Sequence, residues 1–438
     1  MQYQIDKEQV RAVMEARSIR TQSELAGKMG ITKNQLSVLL SEKGNPIKSC
    51  YQKLFNVLEV DPRDVIVPMK PKKKTELMKL ELATGNEEEY IDTSKIRPLR
   101  KYKSVELFAG AGGLALGLEK AGFSAQGLVE FDRHAAATLR MNRPQWNVIE
   151  EDIVKVAEKG INCFLPSDGQ EIDFVSGGYP CQAFSYAGKK LGLEDVRGTM
   201  FFYFADIIRQ LRPKLFLAEN VRGLMSHDNG RTLAAMLEIY HALGYRCETH
   251  LVHAVDYGVA QKRQRLIIVG IRNDLNVKYR LPKKYDRQLV LRDVLKDVPL
   301  SAGDKYPEKK AKVLDLVPPG GYWRDLPDEV AREYMGKSYF SGGGRTGMAR
   351  RISWDEPCLT LTCSPAQKQT ERCHPDETRP FTVREYARIQ SFPDDWQFEG
   401  SVSQQYKQIG NAVPVELAKA IGLSLIDLLN QLESDKNN

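Results

Sequence analysis

The sequence contains no run of 18 or more apolar residues, and its start, MQYQIDKEQV, lacks the apolar segment of a secretory signal. We therefore expect neither a membrane span nor export. No CxxC pair occurs, and the seven cysteines are odd in number and scattered. Because disulfide frameworks use paired cysteines in oxidising compartments, we expect reduced thiols and a cytoplasmic protein.

The sequence also lacks internal repeats and a complete set of metal ligands. Cys363, Cys373 and His374 lie close together, but no matching fourth ligand accompanies them, so we expect no metal. The excess of positive charge is small, with a net charge of +7. This balance permits a polyanionic partner without requiring one, because solvated surface charge gives similar totals.

The chain is too long for one ordinary core, because its 438 residues exceed the usual size of a domain. Changes in composition predict an all-α helix-turn-helix domain, a charged linker, an α/β domain, a loop-rich domain and a C-terminal return to the α/β domain. Their bounds are 1–67, 68–100, 101–270, 271–378 and 379–438. Apolar residues at helical spacing in the final stretch predict a helix that packs back on the α/β domain.

The N-terminal segment has the pattern of two short helices joined by a tight turn. TQSE at 21–24 and TKNQ at 32–35 fit the capping box. Gly30 and Gly44 suit the left-handed position after a helix. The expected buried residues are Leu25, Ala26 and Met29 in the first helix and Leu36, Leu39 and Leu40 in the second.

A helix-turn-helix presents its second helix to a DNA groove. Here that helix would project Lys33, Asn34, Gln35 and Ser37. A plain helical bundle without a DNA role gives the same capping pattern. The stretch SELAGKMGITKNQLSVLLSEKG also resembles the helix-turn-helix domains of phage-repressor-type regulators, which favours DNA binding.

From residue 103, short apolar runs alternate with stretches of helix length. The runs are SVELFAG, AQGLVEFD, EIDFVSGG, KLFLAEN and RLIIVGI, and the helical stretches are 114–122, 132–141, 200–211 and 231–243. This alternation predicts an α/β fold with a doubly wound parallel sheet and helices on both faces. Ligands bind such sheets beyond the carboxyl ends of the strands.

Several strand ends carry residues suited to an adenosine-type ligand. Gly110, Gly112 and Gly113 turn the first strand into a helix and allow a ligand close to the backbone. Glu130 ends the next strand, where this fold places the carboxylate that holds a ribose, and Asp152 could hold an adenine amino group. The pattern leaves NAD and S-adenosylmethionine open, although the irregular glycines favour the second.

Two reactive groups follow further strands on the same expected edge. Cys181 lies in GGYPCQAFS, directly after the strand IDFVSGG, and Glu219 ends the strand KLFLAEN. A carboxyl group that leaves an apolar strand can keep a proton near neutral pH. A thiol nucleophile beside a proton donor and an adenosine pocket suggests covalent catalysis on an electron-poor ring.

Residues 104–270 and 379–425 resemble the DNA (cytosine-5)-methyltransferases, motif after motif and in the order of that family. The motifs are ELFAGAGGL, GGYPCQAFSYAGK, RGTMFF, ENV, QKRQR, RPFTVREYARIQSFP and QIGNAVP. The resemblance implies a Rossmann-like, S-adenosylmethionine-dependent fold that methylates C5 of a cytosine flipped out of duplex DNA. Cys181 would add at C6, Glu219 would protonate N3, and Arg263 and Arg265 would anchor the cytidine.

The same resemblance implies the remaining site residues. The cofactor pocket would be lined by Phe108, Gly110, Gly112, Leu114, Glu130, Phe131, Asp152, Ile153, Pro180, Met200 and Asn411. Gln182, Ser185 and Arg197 would lie in or beside a loop that closes over DNA. Residues 271–378 occupy the place of the target-recognition domain, with Arg345, Arg350, Arg351, Lys368 and Arg372 as candidates for DNA contacts.

We interpret the chain as a bacterial restriction–modification methyltransferase that works at the nucleoid. Its N-terminal domain would bind an operator and repress the enzyme's own gene, and a cognate restriction endonuclease would act on the same site without binding this chain. Three alternatives stay open: a DNA-binding regulator with an inactive methyltransferase fold, a nicotinamide oxidoreductase, and an RNA cytosine methyltransferase. Intact Cys181, Glu219 and Arg263 argue against the first, and the placement of Cys181 and Glu219 on one edge argues against the second. The helix-turn-helix and the long recognition insert favour duplex DNA over RNA.

Overall fold

The structure is a computed structural model that describes residues 3–5, 7–40, 48–61, 65–68, 90–164, 171–180, 199–340 and 347–435. The chain divides into two compact units, Met1–Leu80 and Glu81–Asn438. No helix of the described ranges has the length and apolar character needed to cross a membrane.

The N-terminal unit is mainly helical. Its elements are α1 (Lys7–Ala16), α2 (Gln22–Lys28), α3 (Lys33–Leu39) and α4 (Lys48–Leu58), with β1 (Tyr3–Ile5) antiparallel to β2 (Ile66–Pro68). The six apolar residues that the sequence predicts to be buried lie in or directly after α2 and α3. All six are buried in one cluster, together with residues such as Val10, Leu54 and Leu58.

The predicted capping box at Thr32 is confirmed, and the one at Thr21 is half present, because Glu24 Oε2 accepts from the N–H of Arg20 and not of Thr21. The Gln35 backbone N–H donates to Thr32 Oγ1 at 3.2 Å, and the Thr32 N–H donates to Gln35 Oε1 at 2.8 Å. Thr21 caps α2 through the N–H of Glu24, and Gly30 has φ +62° after it. Gly44 lies outside the described residues. The binding of DNA by this unit stays a prediction.

A seven-stranded sheet organises the second unit. Its strands are β4 (Tyr102–Leu107), β5 (Phe123–Glu130), β6 (Val148–Glu150), β7 (Phe174–Gly177), β8 (Leu215–Val221), β9 (Tyr245–His253) and β11 (Gln264–Arg272), in the order β6-β5-β4-β7-β8-β11-β9. The five strands predicted from apolar runs are all present. Strands β4, β5, β7 and β8 run parallel to one another, so their carboxyl ends lie at one edge of the sheet. The carboxyl end of β9 lies at the same edge, and that of β11 lies at the opposite edge.

The prediction of a parallel sheet is wrong at one side, where the sheet is mixed. Strand β11 runs antiparallel to both β8 and β9. The sequence analysis missed β9, YRCETHLVH, because charged and polar residues break its apolar pattern at the edge of the sheet. Only a short connection, residues 254–263, joins β9 to β11, which is compatible with an antiparallel pair and too short for a crossover helix.

Helices cover both faces of the sheet, as predicted. One face packs on α5 (Gly113–Ala121) and α15 (Val415–Asp435), and the other packs on α7 (Ile153–Lys159), α8 (Met200–Leu211) and α9 (Arg231–Ala242). A third cluster joins α6 (Arg133–Asn142) to the region of α13 (Val383–Ile389) and α14 (Val402–Asn411).

The C-terminal helix packs back on this domain, as the sequence predicts. A Cβ built on Gly117 of α5 would lie 2.4 Å from the Cβ of Ala418 in α15. A Cβ on Gly422 would lie 2.8 Å from that of Ala121. Because real side chains do not approach so closely, glycines allow the two helices to lie against each other here.

The intervening region is rich in loops. It contains α10 (Leu291–Val294), α11 (Glu308–Leu314) and α12 (Asp328–Met335). Two short parallel pairs connect it with the rest, β3 (Tyr90–Ile91) with β12 (Leu281–Pro282) and β10 (Gln261–Lys262) with β13 (Cys358–Leu359). Val277, Tyr279 and Leu281 belong to the core of the sheet, whereas residues such as Leu314, Trp323 and Met348 form a separate cluster. The division at residue 271 stays a prediction.

A buried ion network closes the end of the sheet opposite to the predicted site. The Asp173 carboxylate accepts from Arg100 at 2.6 Å and 2.8 Å and from Lys214 Nζ at 2.7 Å. Glu433 of α15 lies 3.0 Å from Arg100 and 3.4 Å from Lys214. Although burial opposes the shift, the hydrogen bonds from Arg100 and Lys214 lower the pKa of Asp173.

Asp173→Asn is expected to lower the free energy of unfolding by about 3 kcal/mol at neutral pH, because Arg100 and Lys214 lose their main counterion. Since folding lowers the pKa of this carboxyl, its stabilisation is present above the unfolded pKa of about 3.9 and is lost as the pH falls through the folded value. Urea titrations of wild type and variant should therefore give stabilities that converge in acid.

The control is Glu333→Gln, which removes a surface pair with Lys309, 2.8 Å apart. Water screens that pair, so its loss is expected to leave the stability nearly unchanged. Parallel stability curves for wild type and Asp173→Asn down to the acid end would contradict the linkage.

Candidate active site

The glycine turn after β4 is held against the end of β5. The Ala109 N–H donates to Val129 O at 3.0 Å, and the Gly110 N–H donates to Glu130 Oε2 at 2.6 Å. Glu130 Oε1 accepts from the N–H of Asp132 at 2.7 Å, so both carboxylate oxygens are fixed by backbone. Burial raises the pKa of Glu130, against the effect of these bonds. The predicted ribose carboxylate thus has a defined position beside the turn.

Phe108 and Gly113 shape the same turn. Phe108 has φ +60°, a left-handed conformation that is uncommon for a large side chain. A Cβ on Gly113 would lie 2.2 Å from Val413 O, so this position accepts only glycine while the C-terminal segment stays in place. The turn therefore lies between two distant parts of the chain.

Glu106 is a residue of this site that the sequence analysis missed. It lies in β4, its side chain is buried, and its Oε2 atom has no hydrogen-bond partner among the described residues. Burial raises the pKa of Glu106 well above its ordinary value. The signal available in the sequence was a lone acidic residue inside the apolar run SVELFAG. Burying a carboxyl group in an apolar strand costs free energy, so such a residue indicates a functional role.

Glu219 and Arg265 form an ion pair at the ends of neighbouring strands. In the antiparallel register Arg265 lies opposite Val221, so its side chain reaches the residue two positions earlier on β8. Arg265 Nε lies 2.6 Å from Glu219 Oε1, and the two side chains are only 12% and 14% exposed. A Cβ on Gly178 would lie 2.8 Å from Glu219 Oε2, so the backbone after β7 runs directly past this carboxylate.

The segment that leads to Cys181 is fixed up to Pro180. Asn220 Nδ2 donates to Tyr179 O at 3.1 Å. The Tyr179 ring is buried among aromatic side chains, with ring centroids 5.2 Å from Phe204 and 5.8 Å from Phe201. Cys181, Gln182, Ser185 and Arg197 lie outside the described residues, and their assigned roles stay predictions.

Arg263 is buried and holds two backbone segments. Its Nη1 donates to Leu361 O at 3.3 Å, and its Nη2 donates to Gly410 O at 3.0 Å. Burial lowers the pKa of Arg263 to about 9, and the neighbouring Arg265 adds to the shift. The guanidinium therefore stays charged at neutral pH, in a place where a positive charge is poorly solvated.

The C-terminal segment completes the site from the other side. Lys407 Nζ lies 3.0 Å from Asp132 Oδ2, and the Cys363 thiol donates to Asn411 Oδ1 at 2.9 Å. Although burial opposes the shift, the bond from Lys407 and the N–H groups at the start of α6 lower the pKa of Asp132. The predicted pocket residue Asn411 is thus oriented by a neighbouring side chain.

The glycine turn, the Glu219–Arg265 pair, Arg263 and the C-terminal segment border one cavity of about 420 Å³. The predicted residues that line it are Glu219, Arg263, Arg265, Phe108, Gly110, Leu114, Glu130, Pro180 and Asn411. Residues that line it without having been predicted include Glu106, Asp132, Tyr179, Asn220, Lys407 and Gln408. The cavity therefore joins the two sets of residues that the sequence analysis assigned separately to cofactor and to base.

Five predicted cofactor residues are not among those lining the cavity: Gly112, Phe131, Asp152, Ile153 and Met200. Phe131 is 74% exposed next to the lining residues Glu130 and Asp132. Asp152 accepts from the N–H of Val154 at 2.9 Å and so caps α7. Its expected contact with an adenine stays a prediction.

The predicted DNA contacts fall into different environments. Gln35 and Ser37 are exposed, and the side chains of Lys33 and Asn34 and the whole of Arg345 lie outside the described residues. Arg350 pairs with Glu356 at 2.5 Å. Lys368 donates to Tyr334 O, and Arg372 is buried and donates to Thr360 O at 3.1 Å.

The assignment of Arg351 to DNA contact does not agree with its position. It is only 5% exposed, and its guanidinium donates to the carbonyl oxygens of Val317 at 2.8 Å and His374 at 3.0 Å and to Thr378 Oγ1 at 2.7 Å. A side chain bonded in this way holds the loops of the region together, because its donors are used inside the protein.

Comparison with protein families gives one match that covers most of the second unit. Residues 102–427 match the family described as C-5 cytosine-specific DNA methylase. The matched range contains both blocks of motifs and the loop-rich region between them.

Two curated relatives have high identity. The Type II methyltransferase M.Sau96I of Staphylococcus aureus is 52% identical over 424 residues, which cover 95% of this chain and 97% of that protein. The Type II methyltransferase M.Eco47II of Escherichia coli is 58% identical over 341 residues, covering 76% of this chain and 80% of that protein.

Solved structures show the same fold. A DNA modification methyltransferase encoded within an E. coli prophage superposes with a TM-score of 0.55 at 25% identity, over 75% of this chain and all of that chain (100%). The DNMT2 of Spodoptera frugiperda superposes with a TM-score of 0.55 at 18% identity, over 74% of this chain and 100% of that one.

Proposed function

The chain belongs to the C-5 cytosine-specific DNA methylases and is a DNA methyltransferase, and from this premise we propose that it modifies one short duplex sequence by way of a Cys181 adduct. One observation carries the proposal. The Glu219–Arg265 pair, the backbone leading to Cys181 and the Glu130 cradle border a single cavity. A cofactor and a base bound in this cavity would meet within reach of the thiol.

The family depends on S-adenosylmethionine, and the residues present fit that molecule. Glu106 offers a buried carboxyl oxygen that has no partner among the described residues and would accept a hydrogen bond from the ammonium group of the ligand. Glu130 lines the same cavity beside the glycine turn, and its carboxylate would hold the ribose. When bound, S-adenosylmethionine supplies the methyl group as an electrophilic carbon on a sulfonium.

The protein's own groups act on the cytosine. Addition of the Cys181 thiolate at C6 makes C5 electron-rich, so that C5 can form a bond to the methyl carbon. Loss of the C5 proton and elimination of the Cys181 thiolate from C6 then restore the aromatic ring. Glu219 Oε1 is held by Arg265, which leaves Oε2, the atom nearest Gly178, to contact and protonate N3. Arg263 and Arg265 add positive charge in a poorly solvated place and stabilise the developing negative charge.

The target must leave the double helix, because C5 and C6 of a stacked base are out of reach of a thiol in a pocket. The substrate is therefore duplex DNA with one cytosine extruded. High identity to two Type II methyltransferases supports a role in restriction–modification, in which a cognate endonuclease acts on the same site.

The test is methylation of unmethylated genomic DNA by the full-length protein with S-adenosylmethionine, read by 5-methylcytosine sequencing. A single short motif carrying 5-methylcytosine is the expected result. Absence of 5-methylcytosine in DNA from folded protein that binds S-adenosylhomocysteine would overturn the proposal, and methylated cytosines in a parallel RNA sample would redirect it to RNA.

In this proposal the N-terminal unit has a separate function. It binds an operator and thereby represses transcription of the enzyme's own gene. It forms its own compact unit, Met1–Leu80, with its own apolar core and an exposed Gln35 and Ser37 on α3. Deletion of residues 1–80 is expected to leave methyl transfer to short duplexes within about threefold of wild type, since a domain with its own core folds alone. The same deletion should abolish the gel shift of DNA from upstream of the gene.

The matched variant is the intact chain with Gln35→Glu and Ser37→Ala together. It should lose the gel shift and keep the methyl transfer, because both side chains are exposed, and the introduced carboxylate can still accept from the Thr32 N–H while its charge repels the phosphates of DNA. Loss of methylation in the deletion variant, with its circular dichroism spectrum intact, would contradict this division of labour.

A further inference from the structure

Two buried amides, Gln261 and Gln390, lie behind the cavity wall and have no role in the reaction described above. Both are 0% exposed. Gln261 Nε2 donates to Gln390 Oε1 at 2.8 Å, and the two residues lie far apart in the sequence, in β10 and directly after α13. A buried pair of amides costs free energy unless its remaining polar atoms are also bonded.

The remaining atoms are bonded to backbone on both sides. Gln390 Nε2 donates to Ile409 O at 2.7 Å and to Ala412 O at 3.1 Å. Gln261 Oε1 accepts from the N–H of Leu361 at 2.9 Å. The two carbonyl oxygens require the amide nitrogen of Gln390, and the Leu361 N–H requires the amide oxygen of Gln261. Neither amide can therefore flip without losing its partners.

The segments held in this way are parts of the site. Residues 409–412, here called the cavity turn, are the last three residues of α14 and its C-cap Ala412, and Gly410, Asn411 and Ala412 line the cavity. Arg263 donates to Gly410 O, which belongs to this turn, and to Leu361 O. It therefore bonds to the same two segments that the amide pair holds. A Cβ on Gly410 would lie 2.4 Å from Thr362 O, which shows how closely the two segments pack.

We propose that the Gln261–Gln390 pair positions the cavity turn 409–412 against Arg263 and thereby sets the affinity for the cofactor. The inference rests on the proposed function, because it takes the cavity to be the cofactor site. Gln390 is the more important member, since it bonds the turn directly, whereas Gln261 acts through Gln390 and through Leu361. Both are positioning residues and touch no substrate.

The test is Gln390→Met in the full-length chain, which keeps the length of the side chain and removes both donors to the turn. KM for S-adenosylmethionine and the Kd for S-adenosylhomocysteine are expected to rise by about tenfold, the change that loss of one well-placed hydrogen bond produces. The kcat at saturating cofactor should stay within about threefold, because Arg263 keeps its bond to Leu361 O. Isothermal titration and steady-state methyl transfer measure the two quantities.

Two further variants separate positioning from stability. Leu429→Ala removes a buried apolar side chain of α15 from the sheet core, and it should lower Tm without raising KM. Gln261→Met should raise KM less than Gln390→Met, because Gln390 keeps its bonds to the turn. In the double variant the stability loss should be smaller than the sum of the single losses, since the two amides no longer leave each other unpaired.

A fall in Tm for Gln390→Met with unchanged KM and Kd would overturn the inference and leave the pair a structural element. A loss of kcat with unchanged KM would overturn it as well, since the effect would then lie on the base side. If wild-type protein failed to bind S-adenosylhomocysteine at all, the proposed function itself would fail, which is a different result.

Discussion

Cys181→Ser is expected to lower kcat for DNA methylation by more than about 10³-fold while leaving cofactor affinity unchanged. A serine hydroxyl keeps the shape but is far less ionised than a thiol at neutral pH, so it adds poorly to C6 of cytosine. The described chain supports the placement up to Pro180, which lines the cavity beside Glu219. Transfer of labelled methyl groups to a short duplex measures kcat, and titration with S-adenosylhomocysteine measures affinity.

The matched control is Cys363→Ser, because Cys363 is a second thiol next to the cavity. Its Sγ donates to Asn411 Oδ1, a bond that a serine hydroxyl can also make. This variant should keep most of the activity. Duplexes with 5-fluorocytosine, in which C5 carries fluorine instead of a removable proton, should form a covalent complex with wild type and Cys363→Ser but not with Cys181→Ser. A complex that depends on Cys363 instead would contradict the assignment of the nucleophile.

The parts of the fold that follow a local pattern could be predicted from the sequence. The Thr21 and Thr32 side chains each accept from the backbone N–H three residues later, and Gln35 completes the box at Thr32, whereas Glu24 bonds to the Arg20 N–H instead. Likewise, β8 and β11 contain the continuous apolar runs LFLA and LIIVGI, because both faces of the sheet are covered. Strand β9 could not be recognised in this way, since an edge strand tolerates polar residues and its register depends on β11.

Candidate site residues could be predicted where a motif carries them, but not where a tertiary contact makes them functional. Glu130 was predicted from its place on the strand after the glycine turn, and it lines the cavity beside Gly110, while its ribose contact stays a prediction. Lys407 is an ordinary charged residue in the sequence, and only the packing of distant segments brings it to the cavity, whereas Glu106 carried a local signal as the lone acidic residue of an apolar run. Arg351 is the opposite case, a residue that the sequence suggested for a DNA contact and that the fold buries. An arginine in a loop-rich stretch was expected at the surface.

Glu219→Gln is expected to lower kcat by about 10²- to 10⁴-fold, the range for removal of a positioned proton donor. Glutamine has nearly the same shape and can still contact the base, but it cannot protonate N3 and leaves Arg265 without its counterion. KM for S-adenosylmethionine should change little, because Glu219 lies on β8, away from the turn that Glu130 and Gly110 form. Steady-state methyl transfer at varied cofactor and at varied duplex concentration gives the required split.

The informative comparison is Glu130→Gln, a matched change of carboxylate to amide on the other side of the same cavity. Both oxygens of Glu130 accept from backbone N–H groups, and an amide nitrogen in place of one would face a donor. This variant should raise KM for S-adenosylmethionine with a smaller effect on kcat, the reverse of Glu219→Gln. If both variants changed the same kinetic constant, the cavity would not be divided into a cofactor side and a base side. Opposite effects would instead support two subsites joined by the turn that Arg263 and Gln390 hold.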